Sequence, residues 1–311
     1  MSKNRPIAIV TGATGFVGRA LVKTLGDKNW EVRALGRRRT GGERLIGLDD
    51  RCDCLQFDLI TSGEKYIESM LRGAEVVFHL AAAGVTEVGI DSEQLITANV
   101  EGTRRLCESA VRTGISRFVH IGSCFEYGNG GRISENADLN PRSIYANSKA
   151  EASKLVLENS SNFARGAIVL RPFMVYGEGE SQSRLIPYTI IKALANEEVN
   201  LTAGNQIRDF VNVLDLVEAI LVAESTEGIE GEIFNICTGI GYSVKEVVAK
   251  VIQLIDSKSK INYGALEYRG NEGMSIVGDP AKSVEKLDWT PRIKLDDGLF
   301  RLVQSMKRTI L

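Results

Sequence analysis

A tyrosine and a lysine lie four residues apart in the stretch PRSIYANSKAEASKLVLE, which begins at Pro141. Tyr145 and Lys149 share one face if this stretch is helical, because side chains four positions apart are neighbours on a helix. A free phenol has a pKa of about 10 and is a poor acid–base group near neutrality. A fixed ammonium one turn away stabilises the phenolate and lowers that pKa, so the spacing indicates a proton-transfer pair.

A serine stands in GSCFEYG (122–128), directly after the apolar run RFVHI (117–121). Ser123 lies where a strand should end, 22 residues before Tyr145. Ser123 could be an ordinary turn residue with no chemical role. The Tyr145–Lys149 spacing alone is also common on helix surfaces. The three residues together with the glycines described next favour an active site in which Ser123 hydrogen-bonds a substrate oxygen.

Three glycines follow the first strand-like run in IVTGATGFVG (9–18) and open a helix. Gly12, Gly15 and Gly18 have the spacing GxxGxxG, not GxGxxG. Glycines here permit a tight turn and a close approach of backbone N–H groups to a pyrophosphate at the helix N-terminus. A purely structural turn is the alternative, but the position in the first strand–helix unit favours a dinucleotide site.

The end of the second predicted strand reads EVRALGRRR (31–39) and has no acid at its tip. An acidic residue there would accept from the ribose 2′-OH of NAD, whereas arginine accommodates a 2′-phosphate. A solvated basic loop is the alternative interpretation of such a charge run. We predict NADP(H), with Arg37 and Arg38 as phosphate contacts and NAD as the alternative cofactor. Asp58, at the end of the third strand, is placed to meet the adenine amine.

The elements that position these residues alternate in type through the first two-thirds of the chain. Short apolar runs separated by amphipathic helices indicate a doubly wound parallel α/β sheet of the Rossmann type. Strands are predicted at 6–10, 31–35, 54–58, 75–80, 117–121 and 167–171, and the clearest helices at 92–112 and 143–159. After Arg171 the rhythm loosens, with helices at 183–197 and 243–256 and a strand near 209–212. We predict a cofactor domain over 1–171 with parts of 205–240, and a smaller mixed α/β substrate lobe over 172–204 and 241–311.

The composition is ordinary for a soluble globular protein, and we predict a cytoplasmic location. A net charge of −2 in 311 residues argues against a nucleic-acid or membrane-surface partner. No apolar run is long enough for a membrane span, and the N-terminus does not read as a signal peptide. The five cysteines show no CxxC pair, and with His79 and His120 as the remaining soft ligands we predict no metal site and reduced thiols.

Several motifs together resemble the extended short-chain dehydrogenase/reductases, in the branch of nucleotide-sugar epimerases, dehydratases and reductases. They are TGATGFVG, HLAA (79–82), Ser123 with YG (127–128), YxxxK (145–149), LRPFMVYG (170–177) and RDFVNVLDLVEAI (208–220). The resemblance implies a Rossmann domain with a C-terminal substrate lobe. It makes Tyr145 the acid–base group, Lys149 the residue that holds the nicotinamide ribose and tunes Tyr145, and Ser123 the substrate-oxygen contact.

The resemblance also implies the lining of the two binding sites. Beyond the glycines and arginines, the expected cofactor residues are Thr14, Phe16, Val17, Leu59, Leu80, Ala81, Ala82, Lys149, Arg171 and Pro172. Because the family commonly dimerises through two helices of each subunit, the resemblance also implies a homodimer, for which the segments 92–112 and 143–159 would serve. Arg208 and Arg269 correspond to diphosphate contacts of nucleotide-sugar members, and guanidinium forks bind phosphate oxygens bidentately. Ser123, Cys124, Phe125 and Phe173 complete the expected substrate contacts, although Gly270-Asn271 departs from the family's proline-glycine.

The residues after Ser123 bear on which reaction the chain catalyses. Related 4,6-dehydratases carry Thr-Asp-Glu where this chain has Ser123, Cys124 and Phe125, and Glu126 would point away if the chain stayed extended. Dehydration is therefore disfavoured. We predict NADPH-dependent reduction of a nucleotide-diphospho-4-keto-6-deoxyhexose to its 4-hydroxy sugar, with an NAD-dependent 4-epimerase as the alternative. A non-catalytic NADP sensor is the remote alternative. Such proteins typically lose the tyrosine or the lysine, whereas this chain has Ser123, Tyr145 and Lys149.

Overall fold

The computed structural model describes residues 5–37, 52–84 and 91–310. The strands are β1 (Ile7–Thr11), β2 (Glu31–Gly36), β3 (Cys52–Gln56), β4 (Val76–His79), β5 (Arg117–Ile121), β6 (Gly130–Ile133), β7 (Ala167–Pro172), β8 (Met174–Tyr176), β9 (Val199–Leu201), β10 (Ile207–Asn212), β11 (Ile233–Ile236), β12 (Gly241–Ser243), β13 (Ile261–Tyr263) and β14 (Ser275–Gly278). The α-helices are α1 (Phe16–Asp27), α2 (Glu64–Leu71), α3 (Ser92–Ile96), α4 (Gly102–Arg112), α5 (Ile144–Glu158), α6 (Leu185–Leu194), α7 (Val213–Ser225), α8 (Val244–Ile255), α9 (Ala281–Leu287) and α10 (Leu295–Ile310).

Seven strands within the described ranges form the main sheet, in the order β11-β7-β5-β4-β1-β2-β3. The pairs from β7 through to β3 are all parallel. Strands such as β4 are buried along their whole length, as expected of a sheet covered on both faces. The predicted doubly wound Rossmann-type sheet is confirmed. Its strand order reverses between β1 and β4, and the carboxyl ends of strands at such a switch point form a ligand crevice.

The helices beside the sheet bury the faces that the sequence pattern indicates. In α1 the buried residues Gly18, Leu21, Val22 and Leu25 recur at helical spacing. The predicted helix over 92–112 is present in three parts, since a π-helical turn at Thr97–Glu101 lies between α3 and α4. Single π-turns inside helices are frequent at functional sites.

The chain forms two compact units. Unit 1 comprises the described residues up to Glu126 together with Ser143–Arg171 and Val217–Phe234. Unit 2 comprises Tyr127–Arg142, Pro172–Leu216 and the residues from Asn235 onward. The segment Tyr127–Arg142, which we predicted in the cofactor domain, groups with unit 2 because β6 pairs in parallel with β14.

Unit 2 has its own sheet and core. Its strands follow the order β12-β10-β14-β6, and β8 also pairs with β10. Asp209 on β10 joins two loops to this sheet, since its carboxylate accepts from the backbone N–H groups of Thr238 at 2.9 Å, Gly239 at 2.9 Å and Gly278 at 3.3 Å. Burial raises the pKa of Asp209 in spite of these donors. None of the helices in the described part of the chain is long and apolar enough to span a membrane.

Candidate active site

The loop between β1 and α1 is shaped by close backbone contacts. Gly12 has a φ of +67°, and a Cβ at this position would lie 2.8 Å from the backbone nitrogen of Ala81. A Cβ at Gly18 would lie 2.2 Å from the carbonyl oxygen of Gly12, so α1 begins directly against the loop. Gly15 precedes the helix, and no side chain caps it there. Because the N-cap is a glycine, it has no side chain that could accept from the first N–H groups of α1, which fits the binding of a dinucleotide pyrophosphate there.

Replacing Gly12 by alanine is expected to raise the Kd for NAD(P)H about tenfold or more. A residue held in a strained backbone conformation costs about 1–3 kcal/mol, and the added Cβ also meets Ala81. Fluorescence titration of the bound nicotinamide measures the change. Gly114→Ala is the matched control, because Gly114 has a φ of +76° with no atom within 4 Å of its added Cβ. Equal affinities in both variants would contradict the predicted role of this loop.

Thr11 connects the end of β1 to the loop that follows β4. Its hydroxyl oxygen accepts from the backbone N–H groups of Leu80 at 3.2 Å and Ala81 at 3.1 Å. The same oxygen lies 2.7 Å from Nδ1 of His79, the last residue of β4. These bonds fix the backbone of Leu80 and Ala81, two of the predicted cofactor contacts, beside the glycine loop.

His79 continues this connection toward the π-helical turn. Its Nε2 lies 2.8 Å from the Thr103 hydroxyl, which itself donates to the carbonyl of Asn99 at 2.6 Å. The Thr103 oxygen therefore accepts from His79 Nε2–H, and Thr11 donates to Nδ1. Burial, with a further contribution from the charge of Lys149, lowers the pKa of His79 to about 3. The ring is neutral at physiological pH, which matches this tautomer.

Asn99 joins the loop after β4 to the helix that carries the tyrosine and lysine. Its side-chain oxygen accepts from Ala83 N–H at 2.7 Å, and its amide donates to Ala83 O at 3.1 Å and to the Ser148 hydroxyl at 3.0 Å. Ser148 in turn donates to the carbonyl of Tyr145 at 2.8 Å. Sequence reasoning missed this asparagine, although an Asn-x-x-Gly in the middle of an amphipathic helix was a signal for it.

Helix α5 places Tyr145 and Lys149 in its first turns. Ser143 caps the helix by accepting from Ala146 N–H at 3.1 Å, which sets where the helix begins. Tyr145 is half-buried, and one edge of its ring faces Gly84, where an added Cβ would lie 3.5 Å away. The predicted pair therefore lies on one helix, one turn apart, and Tyr145 borders the loop after β4.

Lys149 is a buried cation at the end of β5. Its side chain is 3% exposed, and Nζ donates to the carbonyl of Ile121 at 2.6 Å and lies 3.5 Å from Nε2 of His120. Burial lowers the pKa of Lys149 to about 8, while the charge of Glu126 acts in the opposite direction. The ammonium form therefore predominates at neutral pH, as a residue that stabilises a phenolate requires.

Ser123 sits on a short 3₁₀ turn that follows β5. Cys124–Glu126 form this turn, and Glu126 N–H donates to the Ser123 carbonyl at 3.1 Å. The hydroxyl oxygen of Ser123 accepts from Phe125 N–H at 3.2 Å, which leaves the hydroxyl proton to donate to a substrate oxygen. The chain does not stay extended here, so Glu126 folds back toward Ser123, and Cys124 is buried.

Of the charged residues predicted to contact the cofactor, the structure describes all but Arg38. Asp58 accepts from Ile60 N–H at 2.8 Å and Thr61 N–H at 2.9 Å, so it also shapes its own turn. Arg37 is exposed directly after β2, and Arg38 lies outside the described residues. Arg171, at the end of β7, directs its guanidinium to Glu126. Contacts of these side chains with a cofactor stay predictions.

The predicted substrate residues of the second lobe lie in unit 2. Arg208 on β10 is buried and forms an ion pair with Glu272. Arg269 is exposed, and its backbone carbonyl accepts from Glu272 N–H at 2.9 Å. Phe173 is buried, with its ring close against Gly278. Their contact with a nucleotide sugar stays a prediction.

The family can now be assigned by comparison with known proteins. Residues 8–237 match the model of the NAD dependent epimerase/dehydratase family. The chain belongs to this family. The family assignment confirms the resemblance to extended short-chain dehydrogenase/reductases and supports an enzyme of the oxidoreductase/epimerase type.

Relatives within the epimerase/dehydratase family carry out different reactions. The chain is similar to a dTDP-glucose 4,6-dehydratase of Streptomyces griseus, at 29% identity over 94% of this chain and 91% of the relative. It is similar to a GDP-6-deoxy-D-talose 4-dehydrogenase of Aggregatibacter actinomycetemcomitans, at 27% identity over 90% of each chain. Among solved structures, a UDP-glucuronic acid 4-epimerase of Bacillus cereus in complex with UDP-glucuronic acid and NAD has a TM-score of 0.87 and 26% identity, with 97% of this chain and 99% of that chain covered.

Proposed function

We propose that the chain reduces a nucleotide-diphospho-4-keto-6-deoxyhexose to the 4-hydroxy sugar. The observation that carries this proposal is that the two residues directly after Ser123 supply neither an acid nor a base. An elimination needs an acid and a base at this strand exit, and the first two positions after Ser123 are a buried thiol and a phenyl ring. The nearby carboxylate of Glu126 is occupied by Arg171 and by two further donors. Simple redox chemistry at carbon 4 needs neither group.

Each residue of the site has a definite task in this reaction. Tyr145 delivers the proton to the carbonyl oxygen of the sugar, and the Ser123 hydroxyl, whose oxygen accepts from Phe125 N–H, donates its proton in a hydrogen bond to that oxygen. The ammonium of Lys149, one helical turn from Tyr145, supplies the positive charge that stabilises the phenolate left after this proton transfer. When bound at the glycine loop, a reduced nicotinamide cofactor supplies the hydride. The relative that acts as a 4-dehydrogenase on a GDP-6-deoxy sugar supports redox chemistry at this carbon.

For the cofactor we propose NADP(H), bound with its 2′-phosphate at Arg37 and Arg38. Gly36 ends β2 and Arg37 follows it, so within the described residues no carboxylate stands at this strand tip to accept from a ribose 2′-OH. The NAD bound to the related epimerase supports the alternative cofactor, and the following variant separates the two.

Replacing Arg37 by alanine is expected to raise the KM for NADPH about tenfold or more, because a charge-assisted hydrogen bond contributes about 1.5–3 kcal/mol. The KM for NADH, which has no 2′-phosphate, should stay within about twofold of the wild-type value. Steady-state kinetics with both cofactors measures the ratio. Lys23→Ala on α1, which removes one exposed positive charge, is the control. Equal effects on both cofactors would refute the 2′-phosphate contact.

A second candidate is an NAD-dependent nucleotide-sugar 4-epimerase, which the related UDP-glucuronic acid 4-epimerase favours. An epimerase reoxidises its cofactor in every cycle, whereas a reductase consumes NADPH stoichiometrically. Incubation with NADPH and dTDP-, CDP- or GDP-4-keto-6-deoxyhexoses should decrease the absorbance at 340 nm. No turnover of these sugars, together with NAD-dependent interconversion of UDP-glucose or UDP-glucuronic acid and its 4-epimer, would establish the second candidate instead. Binding of cofactor without any turnover would indicate a sensor.

A further inference from the structure

Glu126 is a buried carboxylate directly behind the serine. Its side chain is 0% exposed. Oε1 accepts from Ser123 N–H at 2.7 Å and from the Ser153 hydroxyl at 3.1 Å. Oε2 accepts from the Arg171 guanidinium, with both Nε and Nη2 at 2.8 Å. The carboxylate is thus fully hydrogen-bonded, and one of its donors is the backbone of a predicted catalytic residue.

The surrounding backbone is built to admit this side chain. A Cβ at Gly122 would lie 2.5 Å from Glu126 Oε1, so glycine leaves the space that the carboxylate fills. The carboxylate and the backbone bond from Glu126 N–H to Ser123 O together close the turn. Because this turn also sets the direction of the Ser123 hydroxyl through Phe125 N–H, removing the carboxylate loosens the serine itself.

Glu126 also acts on the lysine of the site through its charge. Both groups bind the end of β5, because Lys149 Nζ donates to Ile121 O and Glu126 Oε1 accepts from Ser123 N–H two residues on and from Ser153, one turn beyond Lys149 on α5. Among the described residues, the other titratable groups that the structure links to this pair are Tyr145 on α5, His79 on β4, His120 on β5 and Arg171 on β7. Both histidines are neutral, because burial and the Lys149 charge lower the pKa of each. Glu126 supplies the negative charge of this group, and it raises the pKa of Lys149 against the effect of burial.

We propose that Glu126 is a positioning residue whose carboxylate fixes the Ser123 turn and keeps the Lys149 ammonium charged in the working pH range. The proposal rests on the proposed function, because it concerns the same Ser123, Tyr145 and Lys149. A merely structural ion pair between Glu126 and Arg171 would affect unfolding but leave the pH dependence of turnover unchanged.

The test compares Glu126→Gln with Glu126→Asp, which keeps the charge. In Glu126→Gln we expect kcat to fall about 10- to 100-fold, as for the loss of a charge-assisted hydrogen bond. The alkaline limb of the pH–kcat profile, where Lys149 loses its proton, should move to lower pH. Glu126→Asp should restore the position of this limb. Glu224→Gln is the matched control. Glu224 also pairs with an arginine, Arg165, which lies just before the start of β7, whereas Arg171 lies near the end of that strand.

Two further measurements keep the outcome decisive. The Glu126→Gln variant could fail to fold because Arg171 lacks its partner. In that case the double variant Glu126→Gln/Arg171→Met removes both charges, and the alkaline limb of its pH–kcat profile should still lie at a lower pH than that of the wild type. The pKa of Lys149, followed by NMR on ¹³C-labelled lysine, reads the charge effect without turnover. An unchanged limb and an unchanged Lys149 pKa in a folded Glu126→Gln variant overturn the proposal. A wild type that turns over no nucleotide sugar overturns the proposed function instead, while the Lys149 titration still decides the role of Glu126 toward Lys149.

Discussion

The Tyr145→Phe variant is expected to lose about 10²–10⁴-fold in kcat, the usual contribution of a positioned general acid, while its Kd for NADPH stays within about twofold. The phenyl ring keeps the half-buried packing of Tyr145 beside Gly84 and removes the hydroxyl group that donates the proton. Stopped-flow or steady-state oxidation of NADPH gives kcat, and fluorescence titration gives the affinity.

Tyr66→Phe is the control for the Tyr145 variant. Tyr66 lies in unit 1 with its ring partly exposed, and its hydroxyl donates to the Gln56 carbonyl at 2.9 Å. Losing that hydroxyl removes one hydrogen bond without touching the candidate site, so kcat should stay at the wild-type value. A Tyr145→Phe variant with wild-type kcat would show that another group delivers the proton.

The Lys149→Met variant is expected to lose at least about 100-fold in kcat, as for removal of one preorganised charge-stabilising donor, and to bind the cofactor more weakly. Methionine fills the space of the lysine stem but removes the ammonium that donates to Ile121 O at 2.6 Å. In the wild type, kcat should fall as pH rises through about 8, because Lys149 loses its charge above its lowered pKa.

Lys154→Met on the same helix is the control for the Lys149 variant, since the Lys154 side chain is 77% exposed. It should keep both kcat and the pH profile of the wild type. Activity of Lys149→Met at the wild-type level, or a wild-type profile with no alkaline limb, would contradict the role assigned to Lys149. The first outcome would remove the lysine from the site, and the second would show that its charge is not required.

The main sheet and the position of the Tyr145–Lys149 pair followed from local patterns in the sequence. Buried runs such as β4 and the apolar face of α1 have periods that a single stretch reveals. The glycines after β1 were recognisable for the same reason, because positive φ and close packing at Gly12 tolerate little else. These features depend on neighbours within one or two turns of the chain.

What the sequence did not reveal depends on contacts between distant residues or on very short turns. Glu126 was expected to point away because an extended strand exit was assumed, but a three-residue 3₁₀ turn brings it under Ser123. Its partner Arg171 lies 45 residues further along the chain. The Arg208–Glu272 pair spans 64 residues, and the pairing of β6 with β14 similarly assigns a segment to unit 2. No local period encodes such pairs.

Transfer of a labelled hydrogen tests the central claim, a net reduction at carbon 4 of a nucleotide sugar, most directly. The enzyme would be incubated with a nucleotide-diphospho-4-keto-6-deoxyhexose and NADPH that carries deuterium at both hydrogen positions of carbon 4 of the nicotinamide, and the product examined by NMR and mass spectrometry. We predict one deuterium at carbon 4 of the sugar for each NADPH oxidised. Products without deuterium at carbon 4 would contradict the proposed function. In a parallel incubation of the parent nucleotide-diphosphohexose with NAD, a 4,6-dehydration with solvent hydrogen entering at carbon 5 would contradict it as well.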